Sequence, residues 1–150
     1  MEKKKIVDLE DLIAWKKAKD LSIAVYKMCN SNQKIKSDYT YSDQLKRAAL
    51  SIVLNIAEGF GRGGNKEFLN FLGIASGSLS ETRTLLVIGL ELSYLNKEEE
   101  NQLTENYKEV ERIIKGLQNY LKKSELKGYK YDLKEDAEIY VPKRRKSVNY

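Results

Sequence analysis

The residues with the clearest potential for chemistry are basic and lie near the end of the 150-residue sequence. From residue 122 to residue 150 there are nine basic and five acidic side chains, so most of the net charge of +5 falls in this stretch. Lysine and arginine contact phosphates and tyrosine rings stack with bases, which is how proteins commonly hold single-stranded nucleic acid. The stretch is equally consistent with a solvated tail that binds nothing. The basic cluster comprises Lys143, Arg144, Arg145 and Lys146, with Tyr129, Tyr131, Tyr140 and Tyr150 interspersed.

A second group of candidate phosphate-binding residues lies in the glycine-rich stretch at residues 59–64. A glycine-rich loop before a helix N-terminus can bind phosphate through its backbone N–H groups, and Arg62 and Lys66 add positive charge there. The stretch is not a P-loop, because no Gly-Lys-Ser/Thr sequence follows it. Contact with a nucleic-acid backbone through Arg62 and Lys66 is therefore one interpretation, and a simple turn between two helices is the other.

The composition excludes several kinds of active site. The sequence contains no histidine and one cysteine, Cys29, so it offers no Ser-His-Asp triad, Cys-His pair, histidine zinc site or CxxC site. Carboxylates such as Glu58 and Glu81 could form an acid/base pair or bind a metal, but the Glu-x-x-His ligands of di-iron bundles are missing. We therefore expect a protein that is not an enzyme, with no catalytic residue, no metal and no cofactor.

The elements that would position these residues are long helices, since the sequence contains a single proline, Pro142. Apolar residues recur at spacings of three and four from residue 9 to residue 29, which predicts helix one with Asp8 as its cap. Residues 30–38 are polar and predict a short loop. The apolar positions of helix one are Ala14, Ala18, Leu21, Val25 and Met28.

Two further helices follow in the middle of the chain. Helix two is predicted from about residue 41 to residue 58, with Ser42 or Thr40 as its cap, and its centre is apolar around most of its circumference. Residues 59–65 then break the chain. Asn65 is the predicted cap of helix three, which continues to about Leu92.

The fourth helix has the most regular apolar pattern in the sequence. It follows a turn at residues 93–97 and keeps a four-three heptad spacing without a miss. Four helices with short connections predict an all-α protein built as an antiparallel up-and-down four-helix bundle at residues 1–124. Residues 125–150 form a basic, tyrosine-containing tail with a short strand at residues 138–141. The heptad positions of helix four are Leu103, Tyr107, Val110, Ile114, Leu117 and Leu121.

Polar residues on one face of helix two are candidates for a subunit interface. They recur at spacings of three and four on an otherwise apolar helix, so they either face solvent or form a polar seam against a neighbouring copy. If the face forms a seam against a neighbouring copy, Glu81 and Arg83 are candidate charged partners for Arg47 and Glu58. The polar face comprises Gln44, Arg47, Ser51, Asn55 and Glu58.

Small residues in helix three suggest a close helix contact. Gly73 and Gly77 are four residues apart, as are Ser76 and Ser80. Glycine in a helix interior costs roughly 1 kcal/mol relative to alanine, so the pattern indicates that another backbone approaches closely. Either tight packing inside the subunit or an intersubunit contact would account for it.

One part of the sequence resembles a known protein family. Residues 44–72, QLKRAALSIVLNIAEGFGRGGNKEFLNFL, and residues 74–81, IASGSLSE, are similar to the four-helix-bundle proteins encoded within intervening sequences of bacterial 23S ribosomal RNA. DLIAWKKAKDL at residues 11–21 extends the match upstream, and LSYL extends it downstream. The resemblance implies a subunit that assembles as a homopentamer. Relatives called Avd bind RNA and the reverse transcriptase of diversity-generating retroelements, so RNA and a reverse transcriptase are implied partners.

Two hypotheses about function follow. The first is a homo-oligomeric bundle that binds RNA or single-stranded DNA through its basic surface and tail, with a reverse transcriptase as a candidate protein partner. The second is an oligomeric protein–protein assembly module without direct nucleic-acid binding. No apolar run suits a signal peptide or the roughly 20 residues of a membrane span, so we expect a bacterial, cytoplasmic protein with no membrane partner.

Overall fold

Helices make up almost all of the structure, a computed structural model that describes residues 6–126. The long ones are α1 (Ile13–Ser31), α3 (Tyr39–Arg62), α4 (Asn65–Glu91) and α5 (Lys97–Leu126). A short helix, α2 (Gln33–Ser37), joins α1 to α3, and a single 3-10 turn (Leu9–Asp11) precedes α1. The all-α helical bundle predicted from the sequence is confirmed. The tail beyond residue 126 and the strand expected at residues 138–141 lie outside the described residues, so the domain boundary at residue 124 stays a prediction.

The four long helices form a closed square around one core. α1 packs against α3 and α5, and α4 packs against the same two helices. α3 and α4 are antiparallel, since Tyr41 at the start of α3 bonds to the carbonyl of Leu85 near the end of α4, whereas Gly59 near the end of α3 packs on Phe68 near the start of α4. Each long helix thus has two neighbours and one outward face.

The core contains the residues that the apolar periodicity selected. All six heptad positions of α5 are buried, and so are four of the five positions named in helix one; Met28 is partly buried against them. Burial of such stripes is the main contribution to the stability of a helix in water. The largest fully buried side chains are Phe68, Leu12, Leu21, Ile35, Leu45, Ile52, Ile56, Leu72, Leu79, Leu86, Ile114 and Leu117.

The start of α3 differs from the prediction. Asp38, rather than Ser42 or Thr40, caps the helix, and its carboxylate accepts a hydrogen bond from the Tyr41 backbone N–H at 3.1 Å. The hydroxyl of Tyr94, in the connection between α4 and α5, donates to the other carboxylate oxygen of Asp38 at 2.7 Å and so holds the cap in place. The predicted loop at residues 30–38 also contains α2, because the Asn32 side chain caps that turn by accepting from the Ile35 N–H.

The glycine-rich stretch is mostly helical, so the break predicted at residues 59–65 exists but is confined to two residues. α3 continues through Gly59 to Arg62, and only Gly63 and Gly64 connect it to α4. Gly63 has φ of 81°, a left-handed conformation that glycine adopts without steric cost. The cap of α4 is Gly64, and the predicted cap, Asn65, is its first helical residue. A two-residue connection requires α3 and α4 to be antiparallel neighbours.

Gly89 is a position where the bundle leaves no room for a side chain. A Cβ at this position would collide with the hydroxyl of Tyr41, which bonds to the Leu85 carbonyl at 2.6 Å. We predict that Gly89→Ala lowers the free energy of unfolding by about 1–3 kcal/mol through overpacking. The control Gly61→Ala places its Cβ in open space and should leave stability unchanged or raise it by up to about 1 kcal/mol. Urea denaturation followed by circular dichroism measures both, and equal effects would contradict this packing.

Candidate nucleic-acid and subunit interfaces

One of the two candidate basic residues at the α3–α4 connection, Arg62, is already paired with an acidic one. Arg62 and Lys66 are both exposed, but the Arg62 guanidinium lies 2.8 Å from a carboxylate oxygen of Glu58 and 5.3 Å from the centre of the Phe71 ring. Glu67 follows Lys66 in the first turn of α4. With Gly59 in the helix, the glycine loop expected to surround a phosphate does not form. The positive charges of Arg62 and Lys66 are thus balanced by the negative charges of Glu58 and Glu67, and this end of the bundle has no net positive charge for a nucleic acid.

The excess positive charge of the chain lies outside the described bundle. Residues 6–126 carry 17 basic and 17 acidic side chains, which cancel. The net charge of +5 therefore comes from residues 1–5 and residues 127–150. Lys143, Arg144, Arg145 and Lys146 belong to the second of these segments, outside the described residues, and their predicted contact with nucleic acid stays a prediction.

The polar face predicted on helix two, which is α3 in the structure, is divided between solvent and the interior. Gln44, Arg47 and Glu58 are exposed, and Arg47 pairs with Asp43 one turn earlier at 2.8 Å. Ser51 and Asn55, in the middle, are half-buried. Their polar atoms are used within the chain, where the Ser51 hydroxyl bonds to that of Ser78 on α4 at 2.8 Å and the Asn55 amide donates to the Ser51 carbonyl.

The two glycines of the predicted helix three, which is α4 in the structure, face outward. A Cβ at Gly73 or Gly77 would meet no atom within 4 Å, so tight packing inside the subunit does not account for these glycines. Ile74 lies between them with 47% of its surface exposed, and Leu54 on α3 is 57% exposed. Glu81, one turn further along, is exposed as well. Together these residues form an outward face of α3 and α4 that is smooth and partly apolar.

One strong ion-pair cluster was missed by the sequence analysis. Glu100 is 2% exposed, and its carboxylate pairs with the guanidinium of Arg83 and with the ammonium of Lys97 at 3.1 Å. Thr104 donates to the same carboxylate and accepts from Arg83 at 2.6 Å. The hydrogen bond from Arg83 is the main reason that the pKa of Glu100 falls to about 2. Arg83 is thus engaged within its own chain and is not available to Glu58 of a neighbouring copy.

Other titratable groups with shifted pKa values, some buried and some half-exposed, also have structural causes for the shift. The hydrogen bond from Tyr94 holds the pKa of Asp38 below its usual value, and burial raises the pKa of Tyr41 to about 12 and raises that of the Cys29 thiol. Within residues 6–126 no three His, Cys, Asp or Glu side chains come together as metal ligands. No helix in this range has the length and apolar character needed to cross a membrane.

A groove between α1 and α3 was also missed by the sequence analysis. It has a volume of about 510 Å³, and its apolar floor includes Ile23, Leu50 and Val53. Aromatic rings lie under lysines on this side of the bundle, with Lys46 5.3 Å from the Tyr26 ring centre and Lys19 5.4 Å from that of Trp15. The apolar periodicity of a single helix does not reveal the groove, because the groove combines residues that are about 30 positions apart in the sequence.

The ion pair at Glu100 predicts a specific dependence of stability on pH. The pKa of Glu100 is depressed from 4.5 to about 2 in the folded protein. The stabilising effect of its ionised carboxylate is therefore complete above pH 4.5 and is lost as the pH falls toward 2. We expect Arg83→Met to lower stability at pH 7 by on the order of 2–3 kcal/mol, because a buried carboxylate loses its main partner. The deficit should shrink between pH 4.5 and pH 2, where Glu100 becomes neutral. Arg47→Met, which breaks an exposed pair, is the control for urea titrations at each pH, and a deficit independent of pH would refute the assignment.

Comparison with known proteins agrees with this fold. No curated protein matches the chain. A protein of unknown function from the S23 ribosomal protein family of Bacteroides thetaiotaomicron VPI-5482, solved at 1.70 Å, is structurally similar with a TM-score of 0.61 and 23% sequence identity. The match covers 67% of this chain and 94% of that one. The family model for the 23S rRNA-intervening sequence protein matches residues 10–116, and the chain therefore belongs to that family.

Proposed function

We propose that this protein is a non-enzymatic, homo-oligomeric accessory protein of the cytoplasm that binds RNA or single-stranded DNA through its basic ends. The observation that carries the proposal is the segregation of charge. The bundle at residues 6–126 is electrically neutral, whereas the two terminal segments hold the whole net charge of +5. Phosphate contacts depend on unpaired lysine and arginine, and basic side chains of the bundle such as Lys17, Arg47 and Arg62 already have acidic neighbours.

The outward face of α3 and α4 supports self-association. Gly73 and Gly77 leave the helix surface open, and Ile74 and Leu54 expose apolar area beside them. Such a surface permits the backbone of a second helix to approach closely, and burial of the apolar side chains would favour the contact. A pentamer is the assembly that the family resemblance implies. The polar residues of the proposed interface, which border or belong to this face, are Gln44, Arg47, Asn55, Glu58 and Glu81.

Joining several copies would give the basic tails a joint effect. One tail carries few charges, and single phosphate contacts are weak at physiological salt. Several tails on one assembly bind the same polynucleotide with a higher effective concentration, so the affinity exceeds that of one tail. The bundle would then supply valency and the tail would supply contacts. A role as accessory to a reverse transcriptase, which the resemblance to Avd proteins implies, is the finer form of this proposal.

A second candidate is an assembly module that binds a protein and no nucleic acid. The neutrality of the bundle and the pairing of Arg62 with Glu58 favour it, because they leave no net positive charge at the α3–α4 end. The two candidates differ in one measurable property. Nucleic-acid binding through phosphates weakens steeply as salt rises, whereas a largely apolar protein interface does not.

Substitution of the tail arginines tests the nucleic-acid contact. We predict that the full chain binds a single-stranded RNA oligonucleotide at low salt, and that Arg144→Gln with Arg145→Gln weakens binding about tenfold and lowers the slope of log K against log salt by about 1.4. The control, Lys108→Gln with Lys115→Gln, removes the same charge from α5 and should change binding less than twofold. Fluorescence anisotropy at several salt concentrations measures both. Absence of binding at low salt, or equal losses in the two variants, would reject this function.

Enlargement of Gly77 tests the subunit interface. We predict that the wild-type chain is multimeric and that Gly77→Leu shifts it to smaller species, because the added side chain keeps a neighbouring helix at a distance. Asn101→Leu adds the same side chain to an exposed site on α5 and should leave the mass unchanged. Size-exclusion chromatography with light scattering gives the mass of each. A monomeric wild-type protein would contradict the prediction.

A further inference from the structure

The groove between α1 and α3 is an apolar surface without a partner in the described part of the chain. Ile23 and Leu50, which line it, are 45% and 37% exposed, and Val53 lies beside them. Exposed apolar side chains that adjoin one another in a concave site indicate a ligand or a partner segment more than isolated ones do. The groove lies on the side of α3 next to α1, and it is separate from the Gly73 and Gly77 face on α4.

Lysines surround this apolar floor. Lys19 and Lys27 line the groove, and Lys46 lies beside it, with its ammonium 3.2 Å from the side-chain oxygen of Asn30. Among the described residues no carboxylate lines the groove, and the nearest acidic contact of these lysines is that of Lys19 with Asp20 at 3.8 Å. The site therefore combines an apolar floor with about three positive charges, which suits a segment that is both apolar and acidic.

A buried hydroxyl at the base of the groove also lacks a partner. Ser22 is 5% exposed, it lines the groove, and its Oγ makes no hydrogen bond within the described part of the chain. Buried polar atoms in folded proteins are nearly always hydrogen-bonded, so an unpaired one calls for an explanation. A carboxylate or a tyrosine hydroxyl that entered the groove would supply the missing partner.

The chain itself contains a segment with the required chemistry. Residues 132–141, DLKEDAEIYV, carry four carboxylates and one lysine, a balance opposite to that of the three groove lysines. The same ten residues include five apolar ones, among them Leu133, Ile139 and Tyr140. We propose that this acidic, apolar part of the tail binds in the α1–α3 groove of a neighbouring copy.

The length of the chain beyond α5 favours a neighbouring copy over the same one. Lys17 on α1 pairs with Glu109 on α5 at 3.2 Å, so these two residues lie at the same height in the bundle. α5 runs antiparallel to α1 and continues for 17 residues past Glu109, about 26 Å at 1.5 Å per residue, to Leu126. The six residues from Leu126 to Asp132 span at most about 21 Å, and the groove lies further away still, because it begins beyond Lys17. Asp132 therefore falls short of its own groove, which only the later residues of the segment can reach, whereas the groove of a neighbouring copy can accept the segment from its first carboxylate onward.

Binding of the segment would also position the basic cluster. Lys143 follows Val141 by two residues, so each occupied groove would hold the cluster against the outside of the next bundle. Copies would then be joined through their tails, and the positive charge would be fixed along the assembly. The inference rests on the proposal that copies associate, and it does not require that they bind nucleic acid.

Disulfide trapping between full-length copies tests this contact. Ile23→Cys is introduced in one preparation and Ile139→Cys in a second that carries a size tag, and the two are mixed under mild oxidation. Native Cys29 can remain, because it is buried and burial raises the pKa of its thiol. We expect the mixed disulfide to form at least ten times faster than with Asn101→Cys, an exposed position on α5, in place of the groove cysteine.

Reversal of charge distinguishes specific binding from random collision. Lys19→Glu with Lys27→Glu in the groove copy should slow trapping severalfold, and Glu135→Lys with Glu138→Lys in the tail copy should restore it. Equal rates of trapping for the groove cysteine and for the α5 control cysteine would overturn the inference, and so would a charge reversal without effect. Light scattering on the same samples separates the two proposals, since assemblies without preferential trapping would refute groove binding and leave self-association intact.

Discussion

The close approach of α3 and α4 is the constraint on which the rest of the structure depends. It is made at both ends by glycine, where Gly59 meets the rings and backbone of α4 and Gly89 meets the Tyr41 hydroxyl, and in the middle by the bond between Ser51 and Ser78. Because α3 and α4 are joined by only two residues, this contact forms locally and sets their register. α1 and α5 then complete the square by covering the remaining apolar sides of the pair.

The same constraint determines what the outer surface offers. Once Gly59 and Gly89 are used for internal packing, the glycines at 73 and 77 lie on the opposite side of α4 and leave an open face there. The groove between α1 and α3 is a second open surface of different character, since it is apolar with a rim of lysines. A bundle that is neutral in total thus presents two distinct contact surfaces. The excess charge belongs to the segments before and after it in the sequence.

The sequence predicted the interior better than the ends of the helices. All six heptad positions that the apolar spacing predicted in α5 are buried, because side chains at this spacing lie on the face of the helix that meets the core. The heptad in fact continues to Glu100, three residues before Leu103, where a carboxylate occupies a core position. The apolar pattern stopped there, although a charge in register with a core stripe was itself a signal for a buried ion pair. Its partner, Arg83, lies on another helix, and helix periodicity cannot pair residues across elements.

The glycine-rich stretch shows why local composition does not fix the length of the α3–α4 connection. Glycine favours turns, but it is also required where another helix leaves no room for a side chain, and single-sequence patterns do not separate these two causes. At Gly59 the second cause applies, and only Gly63 and Gly64 serve the turn. The candidate groove was hidden for a related reason, since its floor joins positions on α1 and α3 that become neighbours only in the folded bundle.

The polar groups with perturbed pKa values in this bundle hold its helices together. Glu100, Asp38 and Tyr41 have the perturbed pKa values that active sites also show, yet each is held by partners that stabilise the fold. The Asp38 carboxylate caps α3 and accepts from Tyr94, and the Tyr41 hydroxyl bonds to a backbone carbonyl. Glu100 and Tyr41 are buried, whereas Asp38 is half-exposed at the start of α3. The surfaces that these internal contacts leave open are the face at Gly73 and Gly77 on α4 and the groove between α1 and α3.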